Sequence, residues 1–345
     1  MTFAVIGSGS WATALAKILT DNKAAINWWV RSAEIADHIL ARHHNPRYLS
    51  TAYFDTSLLK IHTDLAEAVK SSDAIIIAMP SAYIAESFAA LGPDAFKGKQ
   101  IISAVKGILP AHHLLLNDYL KKEYDFDLND YYTIMGPCHA EEVAAEKLSY
   151  LTFSGLDEEK ADNIAMAFDS YYLKTIVNHD VYGVQYAAIL KNIYALGAGI
   201  AHGLEYGDNF QSVLIANCAD EMAGFLRKVG ISNIDVGIHG TDNPLSKRKS
   251  ANYAASVYLG DLLVTCYSLY SRNRSFGNMI GKGYSVRTAQ LEMNMVAEGY
   301  NASRSIFEIN KEIRADMPIA ETIYQILWEK LPPAKGFKSI EETLI

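Results

Sequence analysis

The chain of 345 residues reads as an α/β protein, a doubly wound parallel sheet followed by an all-α C-terminal domain. Three observations predict this. Short β-rich runs alternate with helical patterns through the first half, a glycine turn joins the first such run to the first helix, and from about Asp180 the pattern changes to long helices without a convincing strand. Alternation of this kind implies right-handed βαβ units and a sheet covered on both faces.

The elements follow in order. FAVIG (3–7) reads as the first strand and about Ser10 to Asp21 as the first helix. INWWV (26–30) and a helix through Ala33 to Ala41 come next. DAIIIAM (73–79) and QIISAV (100–105) are continuous apolar runs, as expected of strands buried on both sides, with helical segments between and after them. In the second half Asp208 is placed to cap a helix whose apolar positions are Val213, Ala216, Ala219, Met222, Ala223 and Leu226. A later helix has Pro318 just inside its start, and LPP at 331–333 stops it. Residues 231–250 mix Gly, Pro, Asn and charge without a period and read as a long loop. A chain of this length exceeds what one core usually fills, so two domains are expected, 1–180 and 181–345.

Composition narrows the function. The formal net charge of −8 argues against a nucleic-acid or anionic-membrane binder, so any phosphate chemistry must be local. Cys138, Cys218 and Cys266 lie far apart, which disfavours a disulfide framework or a structural zinc site and suits a reduced, cytoplasmic protein. No signal peptide or membrane span is read. The neighbouring pairs His43-His44 and His112-His113 point in different directions on a helix and make no shared metal site, and no metal is expected. The many tyrosines read as packing and interface surface, which allows a homodimer.

GSGSWA (7–12) directly follows the first strand and opens a helix. Gly7 permits a tight turn, and Gly9 lets backbone approach a pyrophosphate at the helix N-terminus. Strand, turn and helix in register predict a Rossmann-type dinucleotide site, the alternative being a turn that serves packing alone. An NAD-selective site usually ends its second strand in Asp or Glu. Here Arg31 follows INWWV, so NADP becomes plausible beside NAD, unless Arg31 is only a solvated surface group.

Lys191 lies inside AAILKNIYALGAGIAHG (187–203), otherwise almost uncharged and helical in pattern. Its helical neighbours are Ala187, Ala188, Tyr194 and Ala195, mostly small. Moving an ammonium out of water costs several kcal/mol unless it is paired, and burial lowers its pKa. The local sequence leaves two readings open, a functional amine or an amphipathic side chain snorkelling to the surface. Further on, Ser271-Arg272-Asn273 offers a hydroxyl, a guanidinium fork and an amide suited to a phosphate monoester, or else a solvated helix end. Asp261, in an apolar context, needs a cationic partner, and Lys191 is the candidate.

Read together, GSGSWATALA (7–16), AMPS (78–81), VKGI (105–108), MGPCHAEEV (135–143), LKNIYALGAGI (190–200), GDN (207–209), GDLLVTCYSLYSRNRSFG (260–277) and EGY (298–300) resemble the bacterial type of NAD(P)-dependent glycerol-3-phosphate dehydrogenase over nearly the whole chain. The resemblance implies reduction of dihydroxyacetone phosphate to sn-glycerol 3-phosphate for glycerophospholipid synthesis, in a cleft between the two domains. It implies Lys191 as general acid and base with Asp261 as partner. Lys106, Gly136, Cys138, Asn192, Thr265, Ser271, Arg272 and Asn273 would meet the substrate, Arg272 and Asn273 its phosphate. Gly7, Gly9, Ser10, Trp11, Arg31, Lys106, Ala140, Arg272, Val296 and Glu298 would meet the cofactor, NADP or NAD.

Three positions depart from the family pattern: Ala12 stands where glycine is usual, Cys138 where Ser or Thr is common, and 231–250 is longer than usual. The Cys138 thiol reads as structural, and a Cys138-His139 catalytic pair is set aside because the turn already has a place in the ligand cleft by resemblance. Other readings are a two-domain β-hydroxyacid-type dehydrogenase, which the phosphate-binding cluster disfavours, and a non-catalytic dinucleotide sensor, which the Lys191 and Asp261 pair disfavours.

Overall fold

The structure, a computed structural model, describes residues 1–231, 254–293 and 297–344. The chain divides into two compact units, Met1–Val105 with Leu114–Val181 and Lys106–His113 with Tyr182–Ile345. The excursion of Lys106–His113 into the helical unit has no counterpart in the sequence reading.

The first unit is built on β1 (Phe3–Ile6), α1 (Ser10–Asp21), β2 (Ile26–Trp29), α2 (Ala33–Arg42), β3 (Leu59–His62), α3 (Leu65–Lys70), β4 (Ala74–Ile77), α4 (Ile84–Phe88) and β5 (Gln100–Ser103). It continues through α5 (Leu116–Tyr124), β6 (Tyr131–Met135), α6 (Ala140–Ala144), β7 (Ser149–Gly155), α7 (Glu158–Met166) and β8 (Leu173–Asn178). The eight strands run in the order β3-β2-β1-β4-β5-β6-β7-β8. Strands β1, β2 and β4 are buried at every position, so their unbroken apolar runs reflect cover on both faces. Chain order reverses between β1 and β4, the switch point at which doubly wound sheets bind ligands.

The sheet is not wholly parallel, a correction to the sequence reading. β7 pairs antiparallel with β6, whereas β8 pairs parallel with β7. An antiparallel neighbour needs no full crossover, and the link from β6 to β7 carries only the five-residue α6. β3, β6, β7 and β8 are also absent from the sequence reading; β7, SYLTFSG, is too polar to announce itself as a buried strand.

The second unit is helical: α8 (Val181–Gly203), α9 (Asp208–Lys228), α10 (Asp261–Tyr267), α11 (Arg272–Gly281), α12 (Val286–Glu292), α13 (Glu298–Ile313), α14 (Pro318–Trp328) and α15 (Pro333–Thr343). A π-helical turn, Ala254–Gly260, leads into α10. From Ala187 to Ala201 every residue of α8 is buried, which marks a helix enclosed on all sides. The small residues on α8 make room for a neighbouring helix. A Cβ at Gly199 would strike the Arg274 carbonyl, and one at Gly277 would strike the Leu196 carbonyl. Gly203 and Gly281 repeat the arrangement one turn on, so α8 and α11 meet backbone to backbone.

Two details of α9 differ from expectation. Gly207 is the N-cap and Asp208 the first helical residue, where a carboxylate still favours the helix dipole. The buried face is Gln211, Leu214, Ile215, Cys218, Glu221, Met222, Ala223, Phe225 and Leu226, so Met222, Ala223 and Leu226 face inward as expected, while Val213 and Ala216 are exposed. Polar Gln211 and Glu221 point inward, which misled a pattern read on hydrophobicity alone. Glu221 caps α14, accepting from Ile319 N (2.7 Å), Ala320 N (3.0 Å) and the Tyr194 hydroxyl (3.1 Å). Burial pushes its carboxyl up to about 7 against these hydrogen bonds. Pro318 opens α14, and Pro332-Pro333 starts another helix after it. The expected loop 231–250 lies, beyond Ile231, outside the described residues, as does Val296.

Candidate active site

In the first unit, the turn after β1 is the candidate nucleotide site. Gly7 adopts φ +131°, and a Cβ there would collide with the Ala78 carbonyl that follows β4. Only glycine fits. A Cβ at Gly9 would meet no protein atom within 4 Å, so the turn offers bare backbone to open space. Gly9 caps α1 without any side chain, and no acidic residue stands in the first turn of this twelve-residue helix. A dinucleotide pyrophosphate fits such a place, because the free N–H groups and the dipole both favour an anion.

Ser10 is buried and Trp11 half-buried on the first turn of α1; Arg31 is exposed two residues after the end of β2. Gly136, Cys138 and Ala140 follow β6 in this same unit. Gly136 sits at φ +127° with the Tyr150 carbonyl where a Cβ would go, Cys138 is a buried free thiol, and Ala140 opens α6. His44 faces His38 across 3.2 Å between Nε2 atoms, not its neighbour His43, which stacks on Tyr53.

The second unit holds a buried ion pair. Lys191 on α8 and Asp261 at the start of α10 form an ion pair, Nζ to Oδ1, with side chains only 4% and 2% exposed. Burial draws the Lys191 ammonium down to about 8, against the Asp261 carboxylate, which holds it up; the positive charge of Lys106 lowers it further. Asp261 Oδ2 is buried with no hydrogen-bond partner among the described residues. Thr265 Oγ1 donates to the Asp261 carbonyl (2.6 Å) and stands 3.5 Å from Oδ1. Burial pushes the neighbouring Cys266 thiol up to about 12, so it stays neutral beside the pair.

A chain of amides fixes what surrounds Lys191. Asn192 donates to the Lys106 carbonyl (3.1 Å) and accepts from Asn273 Nδ2 (2.9 Å), and Asn273 Oδ1 accepts from Gly299 N (3.0 Å). The glycine seam between α8 and α11 is what brings Asn273 within reach of Asn192. Ser271 caps α11 by accepting from Arg274 N (3.3 Å), and Arg272 is its half-buried first residue. Glu298 opens α13 beside Gly299. Lys106, Lys191, Asn192, Asp261, Thr265 and Asn273 are thus linked within one unit. Gly136 and Cys138 belong to the other.

Sequence reasoning missed Asn45, whose buried amide reaches the glycine turn, and Gly299, whose N–H closes the amide chain. Only the EGY string hinted at Gly299.

Known proteins resemble this chain over most of its length. Residues 2–161 match the family model described as NAD-dependent glycerol-3-phosphate dehydrogenase N-terminus, and residues 180–338 match the C-terminus model. The chain is 34% identical over 325 residues to glycerol-3-phosphate dehydrogenase (NAD(P)+) of Bacillus subtilis, with 94% of this chain and 89% of that relative covered. It is 32% identical over 330 residues to the same-named protein of Streptococcus suis, covering 95% and 92%. The crystal structure of glycerol-3-phosphate dehydrogenase from Coxiella burnetii superposes with a TM-score of 0.85 at 26% identity, over 99% of this chain and 98% of that one. D-mandelate dehydrogenase with NADH shares the fold alone, with a TM-score of 0.58 at 12% identity over 96% and 98%. From its glycine turn to its C-terminal helices, the chain belongs to the NAD-dependent glycerol-3-phosphate dehydrogenase family.

Proposed function

We propose that the protein reduces dihydroxyacetone phosphate to sn-glycerol 3-phosphate with NADPH or NADH, with Lys191 as the acid. The observation that carries this reading is the buried Lys191 and Asp261 pair with its free carboxylate oxygen. When bound, the reduced nicotinamide supplies the hydride that adds to C2 of the ketone. Negative charge then develops on the C2 oxygen, and the Lys191 ammonium gives it a proton, leaving a neutral amine. In the reverse reaction the same amine takes that proton back. An acid works best when its pKa lies near the working pH, and a lysine drawn down to about 8 meets that condition.

The Asp261 carboxylate holds the Lys191 charge up against burial, and its Oδ2 can accept from a substrate hydroxyl. Arg272, at the N-terminus of α11, holds the phosphate with its guanidinium fork. Asn273 engages its amide on both sides, to Asn192 and Gly299, and so sets where Arg272 stands. Gly7, Gly9, Ser10 and Trp11 would hold the cofactor, with Arg31 available to a 2′-phosphate. Supply of glycerophospholipid synthesis, a cytoplasmic place and a homodimer belong to the same reading; the exposed Tyr267, Tyr270 and Tyr284 support an assembly surface.

The test is oxidation of NADPH and NADH with dihydroxyacetone phosphate beside unphosphorylated dihydroxyacetone. Loss of the phosphate should lower kcat/KM by about 100-fold or more, since a charged bidentate contact is lost. Equal use of both ketones would overturn the reading.

A further inference from the structure

The glycine turn has three carbonyls, those of Gly7, Ser8 and Gly9, and each is occupied by a protein donor; Gly9 O also accepts from Thr13 N (2.9 Å), the first hydrogen bond of α1. Trp28 Nε1 donates to Gly7 O (2.7 Å), Asn45 Nδ2 to Ser8 O (3.1 Å), and Thr13 Oγ1 to Gly9 O (2.9 Å). Asn45 also donates to Thr13 Oγ1 (2.9 Å), which orients that hydroxyl so that its own proton goes to Gly9. The Asn45 carbonyl accepts from Arg47 N (3.0 Å) and Tyr48 N (3.3 Å). Asn45 is fully buried, and both hydrogens and both lone pairs of its amide are engaged.

We propose that Asn45 is the positioning residue of the dinucleotide site: its one amide holds the Ser8 carbonyl away from the pyrophosphate, orients the Thr13 hydroxyl toward Gly9 O, and locks the chain after α2 to that turn. The inference rests on reading the turn as a dinucleotide site. A carbonyl oxygen aimed at a phosphate repels it, whereas a carbonyl held by Asn45 or Thr13 leaves the anion to the N–H groups of the turn and α1. The same amide fixes the backbone of Arg47, whose side chain is exposed, so two segments take their places from one group. Asn45 need not touch the cofactor to control its affinity.

Direct fluorescence titration with NADPH tests this, together with the melting temperature of the cofactor-free protein and steady-state kinetics. Asn45→Asp keeps the acceptor for Arg47 and Tyr48 but loses both donors and sets a negative charge behind the turn. It should weaken NADPH binding by about 30-fold or more, because a hydrogen bond to a buried group is lost and a repulsion gained. Thr13→Val, which keeps Asn45, should weaken binding by about 3- to 10-fold. At saturating NADPH, kcat and the KM for dihydroxyacetone phosphate should stay within about threefold of wild type. A lowered melting temperature with NADPH affinity unchanged in both variants would overturn the inference and leave Asn45 a purely structural residue. Wild-type protein that binds neither NADPH nor NADH would instead sink the dehydrogenase reading, and this inference with it.

Discussion

Among the described residues each unit buries one lysine, and the two are held differently. Lys17 on α1 has a side chain 6% exposed, yet two carboxylates surround it, Asp21 at 2.5 Å and Glu146 at 3.1 Å. The Tyr172 ring lies 5.5 Å from its Nζ, and the Tyr172 hydroxyl donates to Asp21 (2.7 Å). Both carboxylates reach water, being 31% and 44% exposed. Among the described residues Lys191 has a single carboxylate, equally buried, and that carboxylate keeps one oxygen unengaged. Burial of a lysine is therefore no mark of chemistry in itself. What distinguishes Lys191 is capacity left over: a proton held loosely and an acceptor without a donor. Lys17 is saturated, and it ties α1 to Glu146, which takes the left-handed φ of +54° just after α6.

That contrast can be broken most directly at Lys191. Lys191→Met should lower kcat by about a thousand-fold, within the range for loss of a general acid, while NADPH affinity is retained. Near-normal turnover would put Lys191 in the same class as Lys17. Asp261→Asn should lower kcat by about 100-fold and move the alkaline limb of the reduction profile. The sign follows from the charges. The carboxylate raises the Lys191 pKa, so without it burial and Lys106 drive the value below about 8, and the protonated acid is lost at lower pH. A limb that stays in place or moves upward would break the assignment. The smallest kinetic effect is expected at Lys17. Lys17→Met should reduce unfolding free energy by about 1–2 kcal/mol, since its half-solvated partners can rehydrate, with kcat within about twofold. A large kcat loss there would erase the distinction.

What could be read without the structure was local. The turn at Gly7 and Gly9, the apolar runs of β1, β2, β4 and β5, and the limits of α1 all depend on neighbouring residues, and they fall where the pattern puts them. Pairing across the chain was not legible. Nothing in SYLTFSG says that β7 runs antiparallel to β6, and an Asn-Pro dipeptide in a loop reads as a turn. The role of Asn45 comes from contacts 37 and 32 residues away, with Ser8 and Thr13. α9 shows the opposite failure: its start was readable to within a residue, but a face that turns Gln211 and Glu221 inward defeats a count of apolar positions. For Lys191 and Asp261 the need for a partner was visible in each apolar context, whereas the unengaged Oδ2 is a fact of three dimensions.

The glycine seam between α8 and α11 bears on how steadily this enzyme can hold its geometry. Side chains in a core hop between rotamers and repack when a neighbour changes, but main-chain atoms in mid-helix have no such freedom. Because the two helices rest on each other's carbonyls, the spacing from Lys191 on α8 to Arg272 on α11 is a mechanical stop, insulated from rearrangements elsewhere in the interior. Drift in core composition should therefore erode stability long before it detunes turnover, leaving the surrounding sequence wide latitude to vary around a fixed gauge.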